Sequence, residues 1–426
     1  MKKTLAMLLA LVMVFALCAC GQTAAPAPAP AAPAETAAAE APADEAAAPE
    51  TEASPLANVK VGMICLHGEA SPYDVNFYEA AQKTFTELGM DLDTQFILKL
   101  NVPEGNECYD TAADMVDDGC NIVFSDSYGH EPFMIQAAKD FPEVLFVSAT
   151  GDRAHTEGLP NFVNAFADIY MGRYLAGVAA GLKLNEMIEN GDFTAEEAKI
   201  GYVGAKPYAE IVSGFTSFYL GARSVCPTAT MDVIYSGEWY DEPGEKECAN
   251  KLMAGGCKLI SQHADSMGAP TACETAGVPN VSYNVSTIAA CPNTYVVASR
   301  INWGVYYTYL VNTVAAGETV ATDWEGTLAD GAVEILEIND AAAAAGTAEK
   351  LEEVKAALID GSVKVFDLST FTVEGETVTS FMANVDNTDD TYSHETEAVV
   401  DGYIAESVFR SAPYFDLAID GITILK

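Results

Sequence analysis

The sequence predicts an α/β protein built from two doubly wound parallel-sheet lobes. Short apolar runs rich in Val, Ile and Phe alternate with amphipathic stretches from Val59 onward, and this alternation repeats after residue 168. Strands of this composition, separated by helices, are typical of parallel sheets covered on both faces. The roughly 370 residues available are enough for two lobes. We expect one lobe at 57–167, completed by a returning segment near 304–340, a second lobe at 168–303, and helices and strands of 341–426 packed on both.

Residue periodicity predicts the elements of the first lobe in order. Phe77, Ala81 and Phe85 recur at helical spacing, so a helix over 76–88 would have one apolar side. The remaining apolar runs are short and bounded by polar residues, as buried strands are. The predicted strands are 59–65, 94–98, 121–125 and 144–148, and the predicted helices are 76–88, 107–117 and 132–140.

The second half repeats the pattern after a long first helix. The predicted helices are 169–184, 210–222 and 244–253, and the predicted strands are 199–203, 231–235, 259–263, 280–283 and 295–298. In doubly wound sheets, ligands bind beyond the carboxyl ends of the strands, where loops lead into helices. Those loops are therefore the candidate positions for a binding site.

The N-terminus has the composition of an export signal. Two lysines precede an apolar run from Leu5 to Leu17, which is too short to span a bilayer comfortably. The Leu17-Cys18-Ala19 stretch before Cys20 resembles a bacterial lipobox, and this resemblance implies a signal peptide at 1–19 and a lipid on the Cys20 thiol. An ordinary signal peptide cut at an Ala-x-Ala-like site, or an uncleaved helix, is the alternative. We expect a protein lipid-anchored to the cell membrane on its extracytoplasmic face.

Residues 20–56 are predicted to form a disordered tether. They are almost entirely Ala, Pro, Thr, Glu and Asp, with no aromatic residue and no Lys or Arg. Such a segment cannot offset the entropy lost on ordering, and its like charges repel one another. We therefore expect a flexible stalk between the anchor and the lobes.

Composition excludes several classes of function. The net charge of −41 repels phosphate backbones, so nucleic-acid binding is not expected and a neutral or cationic small molecule is the easier ligand. No second long apolar run is present, which excludes a multi-span transporter. The sequence contains no GxSxG, GxGxxG, HExxH or Gly-rich phosphate loop, so we expect no enzyme and no cofactor.

The cysteine pattern leaves the redox state open. Eight cysteines remain after Cys18 and Cys20, an even number that allows disulfides outside the cell, while buried free thiols fit equally well. Cys108 and Cys120 lie at the two ends of one predicted helix, about 18 Å apart, so they should not bond each other. No CxxC motif or His/Cys cluster indicates a zinc site.

Four loops at predicted strand ends, two in each lobe, combine aromatic and polar side chains. These loops are 68–77, 125–130, 237–241 and 263–266. Aromatic faces can stack on a ring, and carboxylates or amides can accept from its hydroxyls. Asp74, Asp241 and Asp265 also stand where helix N-caps would stand. The coincidence of four such loops predicts a ligand cleft between the lobes.

Seven stretches occur in the same order as matching stretches of one known family: 124–132, 173–177, 201–205, 220–227, 239–241, 262–266 and 302–307. Through these stretches the sequence resembles the basic membrane protein family of solute-binding lipoproteins, which contains purine nucleoside receptors of ABC importers. The resemblance implies a type I periplasmic-binding fold, in which two α/β lobes joined by a multi-crossing hinge close on a ligand. It also implies a nucleoside held between aromatic rings, with acidic and amide side chains on the ribose.

In the first lobe, the resemblance implies ligand contacts at two loops. Asn76 matches the Asn that follows an aromatic residue in the family's first loop. Val75 replaces that aromatic residue, so Tyr73 or Phe77 is the candidate for the stacking ring. Ser127 and Tyr128 match a Ser-Phe pair, while Asp126 replaces a smaller residue.

In the second lobe and near the last crossing, the resemblance implies further contacts. The Trp239-Tyr240-Asp241 stretch matches a Trp-Phe-Asp loop, and Asp265 matches the Asp of a Gln-His-Thr-Asp-Ser segment. Asn302 and Trp303 match part of a Trp-Asn-Trp-Gly stretch, in which Ile301 replaces the first Trp.

The sequence therefore predicts a monomeric, lipid-anchored binding protein that captures a purine nucleoside-like molecule and delivers it to an ABC permease. A sugar, a flavin or a signalling furanose is the alternative ligand. An extracellular nucleoside or glycoside hydrolase would use Asp126 and Asp265 as paired carboxylates. The candidate ligand-binding residues are Asn76, Phe77, Asp126, Ser127, Tyr128, Trp239, Tyr240, Asp265, Asn302 and Trp303.

Overall fold

The computed structural model describes residues 55–386 and 394–426. The predicted signal peptide, Cys20 and nearly all of the predicted tether at 20–56 lie outside the described residues. A short 3-10 turn, Pro55–Asn58, leads into the first strand.

The first lobe alternates strands and helices from its first residues. Most of its strands are buried, and two of its helices begin at a capping side chain, such as the Ser71 hydroxyl that accepts from the Asp74 N–H. The elements are β1 Val61–Ile64, α1 Pro72–Glu87, α2 Leu92–Gln95, β2 Phe96–Lys99, α3 Asn106–Asp117, β3 Ile122–Ser125, α4 Glu131–Asp140, β4 Leu145–Ala149, α5 Ala154–Glu157 and β5 Phe162–Ala167.

The second lobe repeats this arrangement. Its elements are α6 Ile169–Asn190, β6 Lys199–Gly204, α7 Ala209–Val225, β7 Thr230–Tyr235, α8 Glu242–Ala254, β8 Leu259–His263, α9 Gly268–Ala276, β9 Asn280–Tyr283 and β10 Tyr295–Ile301.

The C-terminal part of the chain contributes to both lobes. Its elements are α10 Trp303–Ala315, β11 Asp323–Gly326, β12 Val333–Ile335, α11 Thr347–Ile359, β13 Met382–Ala383, β14 Thr396–Glu397, β15 Val399–Val400, β16 Tyr403–Ile404 and β17 Ile422–Ile424.

Two large sheets confirm the predicted α/β class with doubly wound lobes. The first has the order β11-β5-β4-β3-β1-β2, and all of its strands are parallel. The second has the order β12-β10-β9-β8-β6-β7-β17, and only β12 runs antiparallel. The chain passes between the sheets after β5, after β10 and after β11, which forms the multi-crossing hinge.

The structure differs from the sequence-based predictions at three places. The returning segment leaves the first lobe before residue 340, because β12 pairs with β10 in the second sheet. The strand expected at 94–98 begins only at Phe96, since the Asp91 side chain caps the short helix α2. Strand β5 was not predicted, although it is buried along its whole length in the first sheet.

Helices α6 and α7 pack in backbone contact beside the second sheet. Cβ atoms added at Gly177 of α6 and Gly221 of α7 would collide with the carbonyl oxygens of Phe218 and Tyr174, respectively. Glycine at these two positions therefore permits the close approach of the helices. The eight cysteines after residue 55 are all buried free thiols.

Glu406 is a buried acid that makes stability depend on pH. It is 2 % exposed, its Oε2 accepts from the Phe415 N–H at 3.0 Å, and burial raises its pKa from 4.5 to about 7. Between those pH values the folded protein binds more protons at this site than the unfolded chain does. Stability at this site therefore falls as pH rises through that window.

We expect Glu406→Gln to be more stable than the wild type at pH 8, by a few kcal/mol, and to match it near pH 4.5. The amide has the shape of the carboxyl but never has to be buried as a charge. Calorimetric melting temperatures across this pH range measure the effect. Glu318→Gln removes the charge of an exposed glutamate and is the control. A pH profile unchanged by Glu406→Gln would contradict the assignment.

Candidate ligand-binding cleft

Two adjacent cavities lie where the strand ends of the two lobes face each other. The outer cavity, which we call the outer chamber, has a volume of about 320 Å³. The inner cavity has about 20 Å³, room for one or two water molecules. Both cavities are lined by Tyr128, Thr150, Glu210 and Trp239. The described residues therefore form one cleft with a narrow inner end and a wide outer end.

Three aromatic rings line the outer chamber in a row. The ring centroids of Tyr128 and Tyr208 are 5.7 Å apart, and those of Tyr208 and Trp239 are also 5.7 Å apart. Tyr128 follows β3 in the first lobe, whereas Tyr208 and Trp239 follow β6 and β7 in the second. The row thus joins the two lobes and presents apolar surface to a planar group.

Several polar side chains line the inner cavity beside its aromatic ones. The Asp265 carboxyl lines it and has no hydrogen-bond partner among the described residues, while its backbone N–H donates to the Trp239 carbonyl. Burial, followed by the charges of Asp74 and Glu245, raises the pKa of Asp265 well above its ordinary value. The Ser127 hydroxyl, also at this cavity, donates to Glu104 at 2.6 Å. The inner end therefore offers hydrogen-bonding groups to a polar ligand.

The buried His263 pairs with the partly buried Glu210, and both line the inner cavity together with Asp265. The distance from His263 Nε2 to Glu210 Oε1 is 3.2 Å. Burial, helped by the Arg173 charge, lowers the pKa of His263 to about 4. His263 is therefore neutral near pH 7, and its Nε2–H can donate to the Glu210 carboxylate.

The two lobes touch beside the cleft. The His67 ring, after β1, lies 5.5 Å from the ring of Tyr240, after β7. Thr150, which follows β4 and lines both cavities, has a φ of 61°. A positive φ is strained for a β-branched residue, and such strain is concentrated at functional sites. The contact and the strained residue both mark the cleft as a specialised region.

Asp126 belongs to a buried acid cluster behind the cleft. The ligand atoms of Cys65, Asp74 and Asp126 all lie within 4.8 Å of one another. Burial raises the pKa of Asp74, but hydrogen bonds from His67 and Ser71 outweigh this effect and bring the pKa below its ordinary value. Burial and the Asp74 charge raise the pKa of Asp126 well above its ordinary value. Because both Asp74 oxygens already accept hydrogen bonds, a shared proton fits this cluster better than a metal ion does.

The paired-carboxylate arrangement of a hydrolase is not formed. Asp126 is fully buried, its Oδ1 accepts from the Leu66 N–H, and it lines neither cavity, whereas Asp265 lines the inner one. The two carboxyls therefore do not face one substrate position.

Two aromatic residues predicted to bind ligand pack in the core. Phe77 and Trp303 are each 1 % exposed, and their rings stack at 4.3 Å between α1 and α10. Phe77 is the sixth residue of α1 and Trp303 the first of α10, and both rings pack against Phe124 of β3. Neither ring lines the two interlobe cavities, so contact of these rings with a ligand stays a prediction.

Asn76 and Asn302 lie at a different cavity. Asn76 donates to the Ile301 carbonyl at 3.0 Å, and Asn302 donates to the Gly331 carbonyl at 3.3 Å. Both line a cavity of about 630 Å³ beside α1 and α10, on the hinge. Their amides therefore bond to the segments that cross between the lobes, and they do not line the interlobe cleft.

The structure adds cleft residues that the sequence did not indicate. Tyr208 follows β6, so its position at a strand end could have identified it. No local pattern marked the residues that come from the C-terminal part of the chain. These residues, all lining the outer chamber, are Asn384, His394, Arg410, Ala412, Pro413, Tyr414 and Asp416.

Two α/β lobes that meet over a lined cleft have the fold of periplasmic solute-binding proteins. Solved structures share this fold: a solute-binding protein from Aeropyrum pernix K1 has a TM-score of 0.60 at 15 % identity and covers 72 % of this chain and 93 % of its own. One from Conexibacter woesei has a TM-score of 0.56 at 19 % identity, with coverage of 72 % and 98 %.

The chain belongs to the Bmp family, described as ABC transporter substrate-binding protein PnrA-like, whose model matches residues 60–365. This family comprises extracytoplasmic substrate-binding proteins rather than enzymes. Its members bind small molecules and transporter permeases. The predicted family is therefore confirmed.

Two relatives in sequence carry descriptions of their ligands. A purine-binding protein of Brucella abortus is 31 % identical over 251 residues, which is 58 % of this chain and 67 % of the relative. A protein of Haloferax volcanii, named as a glucose-binding protein of an ABC transporter, is 34 % identical over 187 residues. That match covers 44 % of each chain, less than half of the Haloferax protein. Within the described residues, no helix combines the length and apolarity needed to cross a membrane.

Proposed function

We propose that this substrate-binding protein captures a purine nucleoside in the cleft between its lobes. The observation that carries the proposal is the row of Tyr128, Tyr208 and Trp239 rings next to the unpartnered Asp265 carboxyl. A purine base stacks on aromatic rings, and ribose hydroxyls bond to carboxyl groups. The similarity to a purine-binding protein of Brucella abortus supports the same ligand class.

The charges at the cleft favour a nucleoside over a nucleotide. Asp152, Glu210, Asp265 and Asp416 line the two cavities. The guanidinium of Arg410 also lines the outer chamber but is paired with Asp152 at 3.1 Å. A phosphate in this setting would face carboxylates without a free cation among the described lining residues.

We further propose that a lipid on Cys20 and a flexible tether hold the protein near its ABC permease. The lipobox-like Leu17-Cys18-Ala19 stretch and the acidic, proline-rich sequence that follows Cys20 support this arrangement. A receptor must stay near the permease while its lobes meet solute, and an anchored stalk provides both.

Calorimetric titration of the full-length protein tests the ligand. We expect adenosine, inosine or guanosine to bind at micromolar or lower Kd, and adenosine 5′-monophosphate to bind at least about tenfold more weakly than adenosine. Glucose is the comparison sugar, because the Haloferax relative is named for it. Saturable binding of glucose with no binding of any purine nucleoside would replace the proposal with sugar capture.

A further inference from the structure

The outer chamber is closed by a part of the chain that lies beyond the family match. The family model ends at residue 365, yet Asn384, Arg410 and Tyr414 line the chamber. We call this part of the chain, which includes Asn384, Arg410 and Tyr414, the C-terminal wall. The wall contacts the first lobe, since Arg410 pairs with Asp152 and the Ser411 N–H donates to Asp323. The chain then reaches the second lobe, where β17 pairs with β7. The wall is thus a fixed part of the cleft that the shared family core does not provide.

Asn384 presents an unsatisfied amide at this wall. It is 7 % exposed, and its Oδ1 is the one buried side-chain amide oxygen without a hydrogen-bond partner among the described residues. Buried amides such as Asn161, Asn280 and Asn339 all bond to protein groups. A buried polar atom without a partner is unusual in a folded protein. Asn384 therefore has hydrogen-bonding capacity available for a molecule in the chamber.

The backbone around Asn384 is held in place. Ala383 pairs with Thr396 in the β13–β14 hairpin. The N–H groups of Val385 and Asp386 both donate to the Glu395 carboxylate, at 2.6 and 2.7 Å. The Val385 carbonyl also accepts from Arg410 at 3.4 Å. An amide on so constrained a backbone is pre-organised for recognition.

The same chamber contains the surface that a planar base needs. The rings of Tyr128, Tyr208 and Trp239 line it together with Asn384. Asp265 lines only the inner cavity. When the lobes move apart to admit a ligand, the carboxyl of Asp265 is placed to bond to the ribose of that ligand. A base lying on the rings would therefore present its polar edge within the chamber that Asn384 lines.

We propose that Asn384 is a specificity-determining residue that reads the hydrogen-bonding edge of the base. This inference rests on the proposed capture of a purine nucleoside. An asparagine amide offers one acceptor and a donor side by side, which matches the adjacent donor and acceptor on the edge of adenine. A carboxylate only accepts, so it matches the two adjacent donors, N1–H and the exocyclic amine, of guanine.

Calorimetry with adenosine and guanosine on the full-length Asn384→Asp and Asn384→Ala variants tests this role. We expect Asn384→Asp to raise the ratio of the adenosine Kd to the guanosine Kd about tenfold or more over the wild-type ratio. Asn384→Ala should weaken binding of whichever of the two nucleosides the wild type prefers by about tenfold. The matched control is Asn312→Asp, which adds the same charge at an exposed site on α10 that does not line the chamber.

The outcomes separate this inference from the proposed function. Purine binding with the expected change of ratio in Asn384→Asp, absent in Asn312→Asp, supports the role of Asn384. The inference would be overturned, and the proposed function left intact, by the following result. The wild type binds a purine nucleoside, Asn384→Asp has the wild-type ratio of adenosine Kd to guanosine Kd, and Asn384→Ala has a Kd within twofold of the wild type. Absence of any purine nucleoside binding to the wild type would overturn both. If Asn384→Asp does not fold, the Asn384→Ala affinity alone decides.

Discussion

Replacing Arg410 with alanine is expected to lower the free energy of unfolding by about 3–5 kcal/mol, because it breaks a buried ion pair. The side chains of Arg410 and Asp152 are 5 % and 4 % exposed, and the Nη1–Oδ2 distance is 3.1 Å. The guanidinium also donates to the carbonyls of Ala412 and Pro413, at 3.1 and 3.0 Å. Alanine would leave a buried carboxylate and carbonyl groups without their donor.

Differential scanning calorimetry should show a fall of several degrees in the melting temperature of Arg410→Ala. Arg300→Ala is the matched control, because it removes a partly exposed pair with Glu334 and should cost no more than about 1 kcal/mol. The double variant of Arg410→Ala with Asp152→Ala should recover part of the loss, since no unpaired charge remains. Equal stability of Arg410→Ala and Arg300→Ala would contradict a structural role for the buried pair.

Replacing Trp239 with alanine is expected to weaken nucleoside binding by about 5- to 150-fold. Stacking of a base on an aromatic side chain contributes about 1–3 kcal/mol, as measured by alanine substitution. Trp239 lines both cavities and follows β7, where its carbonyl accepts from the Asp265 N–H at 2.9 Å. The indole therefore lies beside both the predicted base surface and the acid expected to meet the ribose.

Calorimetric titration of Trp239→Ala with the nucleoside that binds the wild type best measures this loss. Trp239→Phe keeps a ring and should retain most of the affinity. Trp324→Phe changes a tryptophan that packs against Tyr306 and Tyr309, outside both cavities, and should leave the Kd unchanged. A Kd for Trp239→Ala within twofold of the wild type would show that the indole does not contact the ligand.

The sequence predicted the buried centre of each sheet well. Strands such as β3 and β4 are short, buried runs dominated by apolar residues, so their composition identifies them. The edge strands β11, β12 and β17 were not predicted, because they are short and half-buried and are fixed by pairing with distant strands. Their pairing depends on contacts across the chain rather than on local periodicity.

The candidate site was predicted in part, for a similar physical reason. Tyr128, Trp239 and Asp265 follow strands, and the rule that ligands bind at strand carboxyl ends placed them in one cleft. The same reasoning could not distinguish Phe77, whose ring turns into the core, from a ring that faces ligand. Asn384 reaches the cleft from a segment without any binding motif, and only the folded chain brings it there.

Native mass spectrometry with competing ligands tests the central claim most directly. The full-length protein would be freed of bound molecules by unfolding and refolding, then mixed with equal amounts of adenosine, inosine, guanosine, uridine, glucose and adenosine 5′-monophosphate. We predict a complex with one purine nucleoside per protein chain as the dominant bound species. A dominant complex with glucose or the nucleotide, or refolded protein that binds none of the six, would contradict purine nucleoside capture in the cleft.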